Sequence, residues 1–165
     1  MDYGYIENFK NLGFGMFVHF GLYSLVGKGE WYLRLNPQAD AAEYEKLTEK
    51  FAVKKTWAKE LVSVAKEAGC RYITLTARHH DGFSLYDTRG LSDFDAPHSA
   101  SGRDLIKEFV EECRKEGVVP FLYHTLADWH NADYMNDFPK YIDYLVKSVG
   151  ILCKNYGKIG GLWFD

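Results

Sequence analysis

Asp104-Leu105-Ile106-Lys107-Glu108-Phe109-Val110-Glu111-Glu112-Cys113-Arg114-Lys115-Glu116-Gly117-Val118-Val119-Pro120-Phe121-Leu122-Tyr123-His124 reads in three parts. Leu105, Ile106, Phe109, Val110 and Cys113 recur at helical spacing, so Asp104 to Glu116 predicts an amphipathic helix. Gly117 allows the left-handed turn that satisfies the last helical carbonyls. Val118 to Leu122 is a short apolar run without clean alternation, as in a strand covered on both faces. Polar residues, Tyr123 and His124, then close the unit. Upstream, Ser101 followed three residues later by Asp104 has the pattern of a capping box, with Asp in place of Glu.

The same order recurs on either side of this stretch. Before it come Trp57 to Ala68, Gly69, the run Tyr72 to Ala77, and then Arg78-His79-His80-Asp81. After it come Pro139 to Tyr156, Gly157, the run Ile159 to Phe164, and then Asp165. Pro139 suits a first helical turn. An earlier strand fits Phe14 to His19, entered through Gly13 and left through Gly21, and residues 40 to 50 read as an extra helix around Tyr44 and Leu47. Four strands separated by helical segments predict a parallel α/β sheet with right-handed crossovers. Neither GxGxxG nor GxxxxGK[ST] occurs, so no phosphate-loop fingerprint supports a nucleotide-binding version. The fold expected is therefore α/β, of the (β/α)8 barrel type, with about four βα units in one domain over residues 1–165.

The 165 residues are 47% hydrophobic and 26% charged, ordinary for a globular domain. Aromatic residues make up 16%, enough to line a pocket for flat apolar faces such as those of sugars. A net charge of -3 gives no basic footprint for nucleic acid or an anionic membrane. No apolar run approaches the roughly 20 residues of a membrane helix. Cys70, Cys113 and Cys153 are odd in number and far apart, which argues against disulfides or a zinc site. Free thiols, and an amino terminus without a basic start or an apolar stretch, predict a cytoplasmic protein.

In such a barrel the chemistry gathers at the C-terminal ends of the strands. Those ends carry His19, then His79-His80-Asp81, then Tyr123-His124 with Asp128-Trp129 beyond, then Asp165. Four of the six histidines fall there. Taken singly, His98 and His130 read as ordinary hydrogen-bonded histidines; the set at the strand ends reads as a site. Arg78 predicts an internal ion pair. Asp81, beside two histidines at a tight Gly82 turn, predicts a residue that orients them.

The motifs Phe14-Gly15-Met16-Phe17-Val18-His19-Phe20-Gly21, Glu30-Trp31-Tyr32, Ala77-Arg78-His79-His80-Asp81-Gly82-Phe83, Arg103-Asp104-Leu105, Tyr123-His124 with Asp128-Trp129, and Leu162-Trp163-Phe164-Asp165 stand in order. Together they resemble glycoside hydrolase family 29, the retaining α-L-fucosidases. Tyr86 stands where many relatives have Trp, and His124 where many have Tyr. The resemblance implies Asp165 as nucleophile. It implies His19, Glu30, Trp31, His79, His80, and Tyr123 or His124 as fucose-binding residues. Asp128 and Trp129 have two readings, at the mouth of the site or as loop packing. The implied substrate is a fucosylated glycan or fucoside, with neither cofactor nor metal. A retaining enzyme also needs a second carboxyl, about 5–5.5 Å from the first, to protonate the leaving oxygen. In the family that acid/base residue lies on a later segment.

A full barrel of this kind takes roughly 250 residues or more, so the chain is expected to be a half barrel whose first and fourth strands leave open edges. Two copies meeting edge to edge would close eight strands and bury Phe17, Ile73, Leu75 and Leu122 as interior layers. Self-association is the expectation if these residues fold alone. Two other readings compete. One is a fucose-binding module without catalysis. The other is a metal-dependent hydrolase using His19, His79, His80, His124 and Asp165; against it, adjacent His79 and His80 should point to opposite sides of a strand.

Overall fold

The computed structural model describes residues 4–165. Its strands are β1 (Gly15–Val18), β2 (Tyr72–Arg78), β3 (Val119–His124) and β4 (Gly161–Phe164). They form one parallel sheet in the order β1-β2-β3-β4, so each strand pairs with its neighbour in sequence. The helices are α1 (Gly4–Leu12), α2 (Tyr23–Val26), α3 (Tyr32–Leu35), α4 (Ala41–Glu45), α5 (Trp57–Glu67), α6 (Leu105–Glu116), α7 (Asp133–Asn136) and α8 (Phe138–Asn155). Among the described residues, none is long and apolar enough to cross a membrane.

The predicted repeat is present with boundaries shifted by one or two residues. Gly69, Gly117 and Gly157 all have positive φ, between 66° and 80°. The region 40–50 is α4 followed by a 3₁₀ turn at Lys46–Lys50. The capping at α6 differs from the expected box. Asp104 is itself the N-cap, accepting from the Lys107 N–H at 2.9 Å. Ser101 instead ties two loops, accepting from the Val53 N–H at 3.1 Å and donating to the Phe51 carbonyl at 2.7 Å. An Asp carboxylate reaches the orphan N–H by itself, which frees the serine.

Pairing aligns Val18, Leu75, Leu122 and Leu162 in one row, and Phe17, Thr74, Phe121 and Gly161 in the next. Because side chains alternate, the two rows face opposite ways. Ile73, Leu75 and Leu122 are fully buried in a core with Val62 and Ala65 of α5 and Phe109 and Val110 of α6. Burying each such side chain contributes roughly 1.5–3 kcal/mol. This corrects the expected interior layers: Ile73, Leu75 and Leu122 pack under the helices, and only Phe17 of that group lies on the other face. That face stays open. Phe17 and Trp163 are 43% and 52% exposed. At its lower end α1 lies across the strands, with the Phe9 ring 5.5 Å from Tyr72 and 5.6 Å from Phe121. A cavity of about 390 Å³ remains between α1 and this face.

Candidate active site

The C-terminal ends of the strands converge on Asp165, which follows β4. Its Oδ2 accepts a hydrogen bond from the Tyr123 hydroxyl at 2.9 Å. The same oxygen lies 3.6 Å from Nε2 of His80. The carboxylate is otherwise open, its side chain 59% exposed. Around it stand the histidines. The His79 ring stacks on Tyr123 at 5.6 Å and meets His19 edge-on at 5.3 Å. His80 lies against Trp31 at 5.1 Å and Trp129 at 5.3 Å, and the two indoles touch at 5.2 Å. Glu30 is near enough for its charge to act on His80, Tyr23 and Tyr123.

Eight of the nine residues singled out from the sequence are thus brought together: Asp165, His19, Glu30, Trp31, His79, His80, Tyr123 and Trp129. His124 is not. It follows Tyr123 on β3 and so points to the opposite face. There it is fully buried, with Nε2 2.8 Å from the Ser148 hydroxyl and Nδ1 2.7 Å from the Thr125 carbonyl. Of the pair Tyr123 and His124, Tyr123 faces the site.

His79 and His80 correct a second expectation. β2 ends at Arg78, so strand alternation no longer applies, and the two rings lie 4.4 Å apart on the same side. Among the described residues, no group of three or more His, Cys, Asp or Glu is arranged to hold a metal ion. Asp81 does not orient the histidines either. It accepts from the Tyr44 hydroxyl at 2.7 Å and from the Phe83 N–H at 3.3 Å, closing the turn. Gly82 in that turn has φ 82°, and a Cβ there would come within 2.7 Å of Asp128 Oδ1 and His130 Cβ. Arg78 makes the expected internal ion pair, with Asp128. Asp128 also accepts from the His130 and Asn131 N–H groups at 2.9 and 3.0 Å, so it packs the loop and leaves the mouth of the site to Trp129. His98 pairs with Asp95 and His130 stacks on Phe94, both away from Asp165.

The sequence reading missed Phe17, Trp163 and Tyr23. Phe17 meets Trp163 at 5.5 Å and His19 at 5.2 Å. Each lies two residues before a chosen site residue on the same strand, a period-2 signal that would have found them. Tyr23 sits edge-on to His79 at 5.5 Å and its hydroxyl is 3.1 Å from that of Thr76. Burial at the end of the sheet raises the Tyr23 and Tyr123 hydroxyls well above the usual phenol range; the bond to Asp165 adds to the effect for Tyr123.

The sequence model of the α-L-fucosidase family matches residues 3–165. The chain belongs to the α-L-fucosidase family. Among relatives of this family, an α-L-fucosidase of Dictyostelium discoideum is 28% identical over 150 residues, 78% of this chain and 32% of that protein. The chain therefore spans about a third of such a relative. Of solved structures, α-L-fucosidase isoenzyme 1 from Paenibacillus thiaminolyticus superposes with TM-score 0.87 at 36% identity, over 98% of this chain and 42% of that one. A family 29 α-L-fucosidase from Bacteroides thetaiotaomicron gives TM-score 0.92 at 26% identity, over 100% and 41%. That enzyme has also been solved as a trapped covalent intermediate in complex with 2-fluoro-fucosyl fluoride.

Within this fucosidase-family site, burial lowers the His79 pKa from 6.5 to about 3, with repulsion from His80 and His19 adding to it. Burial, with Arg78 nearby, does the same to His124. Both rings are therefore neutral at physiological pH. In the unfolded chain they take up protons near pH 6.5, so the stability they contribute is present above 6.5 and is lost as pH falls toward 3. Asp81 works the other way. Burial raises its carboxyl from 3.8 to about 6, so its contribution is present below 3.8 and is lost as pH rises through 6. Two histidines outweigh one carboxyl. The thermal midpoint should fall as pH is lowered from 6.5 to 4, and His124→Gln, which cannot ionise, should flatten that slope. A calorimetric pH series checks this; an unchanged slope in the variant would contradict the burial assigned to His124.

Proposed function

We propose that these residues are the nucleophile-bearing part of a retaining α-L-fucosidase. The observation that carries this reading is the placement of Asp165: an accessible carboxylate at a strand end, steadied by Tyr123 and set beside His80. In the first half-reaction Asp165 would attack the anomeric carbon of fucose and form a glycosyl ester; in the second, water would release the sugar. Tyr123 donates to the oxygen that His80 also faces, which leaves Oδ1 as the attacking atom. Neutral His79 and His80, with His19 and Glu30, supply donors and acceptors for ring hydroxyls. Phe17, Trp31, Trp129 and Trp163 offer faces for the apolar side of the sugar, including its methyl group.

The acid/base carboxyl would come from outside residues 1–165. Asp81 and Asp128 are buried and already bonded, so neither is free to serve. We take the sheet to be half of an eight-stranded barrel, with the remaining strands joining at β1 and β4. The coverage of 41–42% of the Paenibacillus thiaminolyticus and Bacteroides thetaiotaomicron enzymes, and the covalent intermediate of the latter, support both parts of the reading.

The protein that carries this chain should hydrolyse an aryl α-L-fucoside. Proton NMR during the first minutes should detect α-L-fucose before mutarotation produces the β anomer. Initial release of the β anomer would refute double displacement, and no release at all would refute the activity.

A further inference from the structure

We propose that Thr125 is a positioning residue that fixes the tautomer of His80, and so makes its Nε2 a hydrogen-bond acceptor for the sugar hydroxyl next to the anomeric carbon. The inference rests on the fucosidase reading above and deepens it. Thr125 follows β3 and is fully buried. Its hydroxyl donates to the Ala127 carbonyl at 2.6 Å. The single hydroxyl proton is thereby committed, and the oxygen can only accept from His80 Nδ1, 2.6 Å away. Nδ1 therefore carries the ring proton.

The neutral ring then presents a lone pair at Nε2. Burial lowers the His80 pKa, which keeps the ring neutral against the pull of Asp165 and of the Ala127 carbonyl, the acceptor it shares with Thr125. Nε2 lies 3.6 Å from Asp165 Oδ2, and that oxygen already accepts from Tyr123. Two acceptors facing each other across that gap call for a donor between them. A substrate hydroxyl one carbon from the atom that Asp165 attacks fills that role. Such a bond strengthens as positive charge develops on the ring in the transition state. Two further contacts hold His80 in register: the Trp129 N–H donates to its carbonyl at 2.8 Å, and the Trp129 ring packs on its imidazole. One short loop after β3 thus sets the position, rotation and protonation of a residue on the neighbouring strand's loop.

Thr125→Val keeps the volume and removes the hydroxyl; Thr125→Ser keeps the hydroxyl. In the full-length enzyme, Thr125→Val should lower kcat/KM for an aryl α-L-fucoside about tenfold, and for the 2-deoxy analogue less than about twofold, while Thr125→Ser stays near wild type on both. Equal losses on the two substrates, or no loss on either, would overturn the proposal. Nitrogen-15 NMR of His80, identified by its disappearance in His80→Gln, gives a readout independent of turnover. Wild type and Thr125→Ser should show protonated Nδ1 and bare Nε2 at neutral pH, and Thr125→Val a mixture of tautomers. Protonated Nε2 in the wild type would overturn the proposal outright. If the tautomer is as expected and no fucoside is cleaved, the fucosidase reading fails and the role of Thr125 in holding His80 stands.

Discussion

Asp165→Ala in the protein that carries this chain should reduce hydrolysis of an aryl α-L-fucoside by about 10⁴-fold or more, the size seen when a covalent nucleophile is removed. Asp165 is the exposed carboxylate at the focus of His19, His79, His80 and Tyr123, whereas Asp81 and Asp128 are buried and engaged with Tyr44 and Arg78. Loss of folding would give the same result, so two further measurements are needed. The exposed side chain leaves the thermal midpoint within a few degrees of wild type when truncated. Added azide, a small anion able to occupy the space of the lost carboxylate, should restore turnover of an activated aryl fucoside and yield β-fucosyl azide. Wild-type turnover by the variant would remove Asp165 from the mechanism.

The largest expected effect on stability is at Arg78. Its guanidinium is buried in an ion pair with Asp128, Nε donates to the Gly82 carbonyl at 3.2 Å, and the Tyr144 ring lies 4.9 Å from its centre. Breaking a buried pair from one side leaves a charge without compensation and costs about 3–5 kcal/mol. Arg78→Met should accordingly lower the thermal midpoint on the order of 10 °C. The double variant Arg78→Met with Asp128→Leu should recover part of that loss, since it removes both charges. Equal midpoints for wild type and Arg78→Met would mean that the pair is not desolvated. The pair also joins the loop after β2 to the loop after β3, the same two loops that carry His80 and Trp129. Residual fucosidase turnover in Arg78→Met should therefore fall further than unfolding alone explains.

The repeat of helix, glycine and strand was legible because each part has its own local signal: apolar spacing for α5, α6 and α8, and left-handed glycines at 69, 117 and 157. The ion pair of Arg78 was legible because a cation beside a buried strand needs a partner. His124 was misassigned for the opposite reason. A residue at a strand end invites a site role, yet its side is decided by its register relative to Tyr123, and the register becomes visible only once β3 is paired. Phe17 and Trp163 differ: they stand two residues before His19 and Asp165, so alternation along the strand places them on the site face without any knowledge of pairing. The helix α1 ends at a left-handed glycine, Gly13, which the sequence showed only as the entry to the first strand, and its anchor Phe9 is held by Tyr72 and Phe121, far along the chain. Asp81 looked like a partner for the histidines because it is adjacent in sequence, whereas the turn at Gly82 swings it toward Tyr44.

The strand order β1-β2-β3-β4 has a consequence for synthesis on the ribosome. Every strand docks on one already made, so the sheet can lengthen one unit at a time as the chain emerges. Closing a crossover of about 50 residues costs roughly 3–4 kcal/mol of chain entropy, and the cost is met once per strand instead of all together. Until the next strand arrives, the outer edge of the last one is bare, and an unpaired parallel edge is a template for other chains. The edge of the newest strand is thus the most exposed part of the growing sheet. A slow stretch that halts synthesis once β3 has left the ribosome should raise the fraction of protein lost to aggregation more than a halt once only β2 has left it, where the two-stranded intermediate has little apolar surface organised to present.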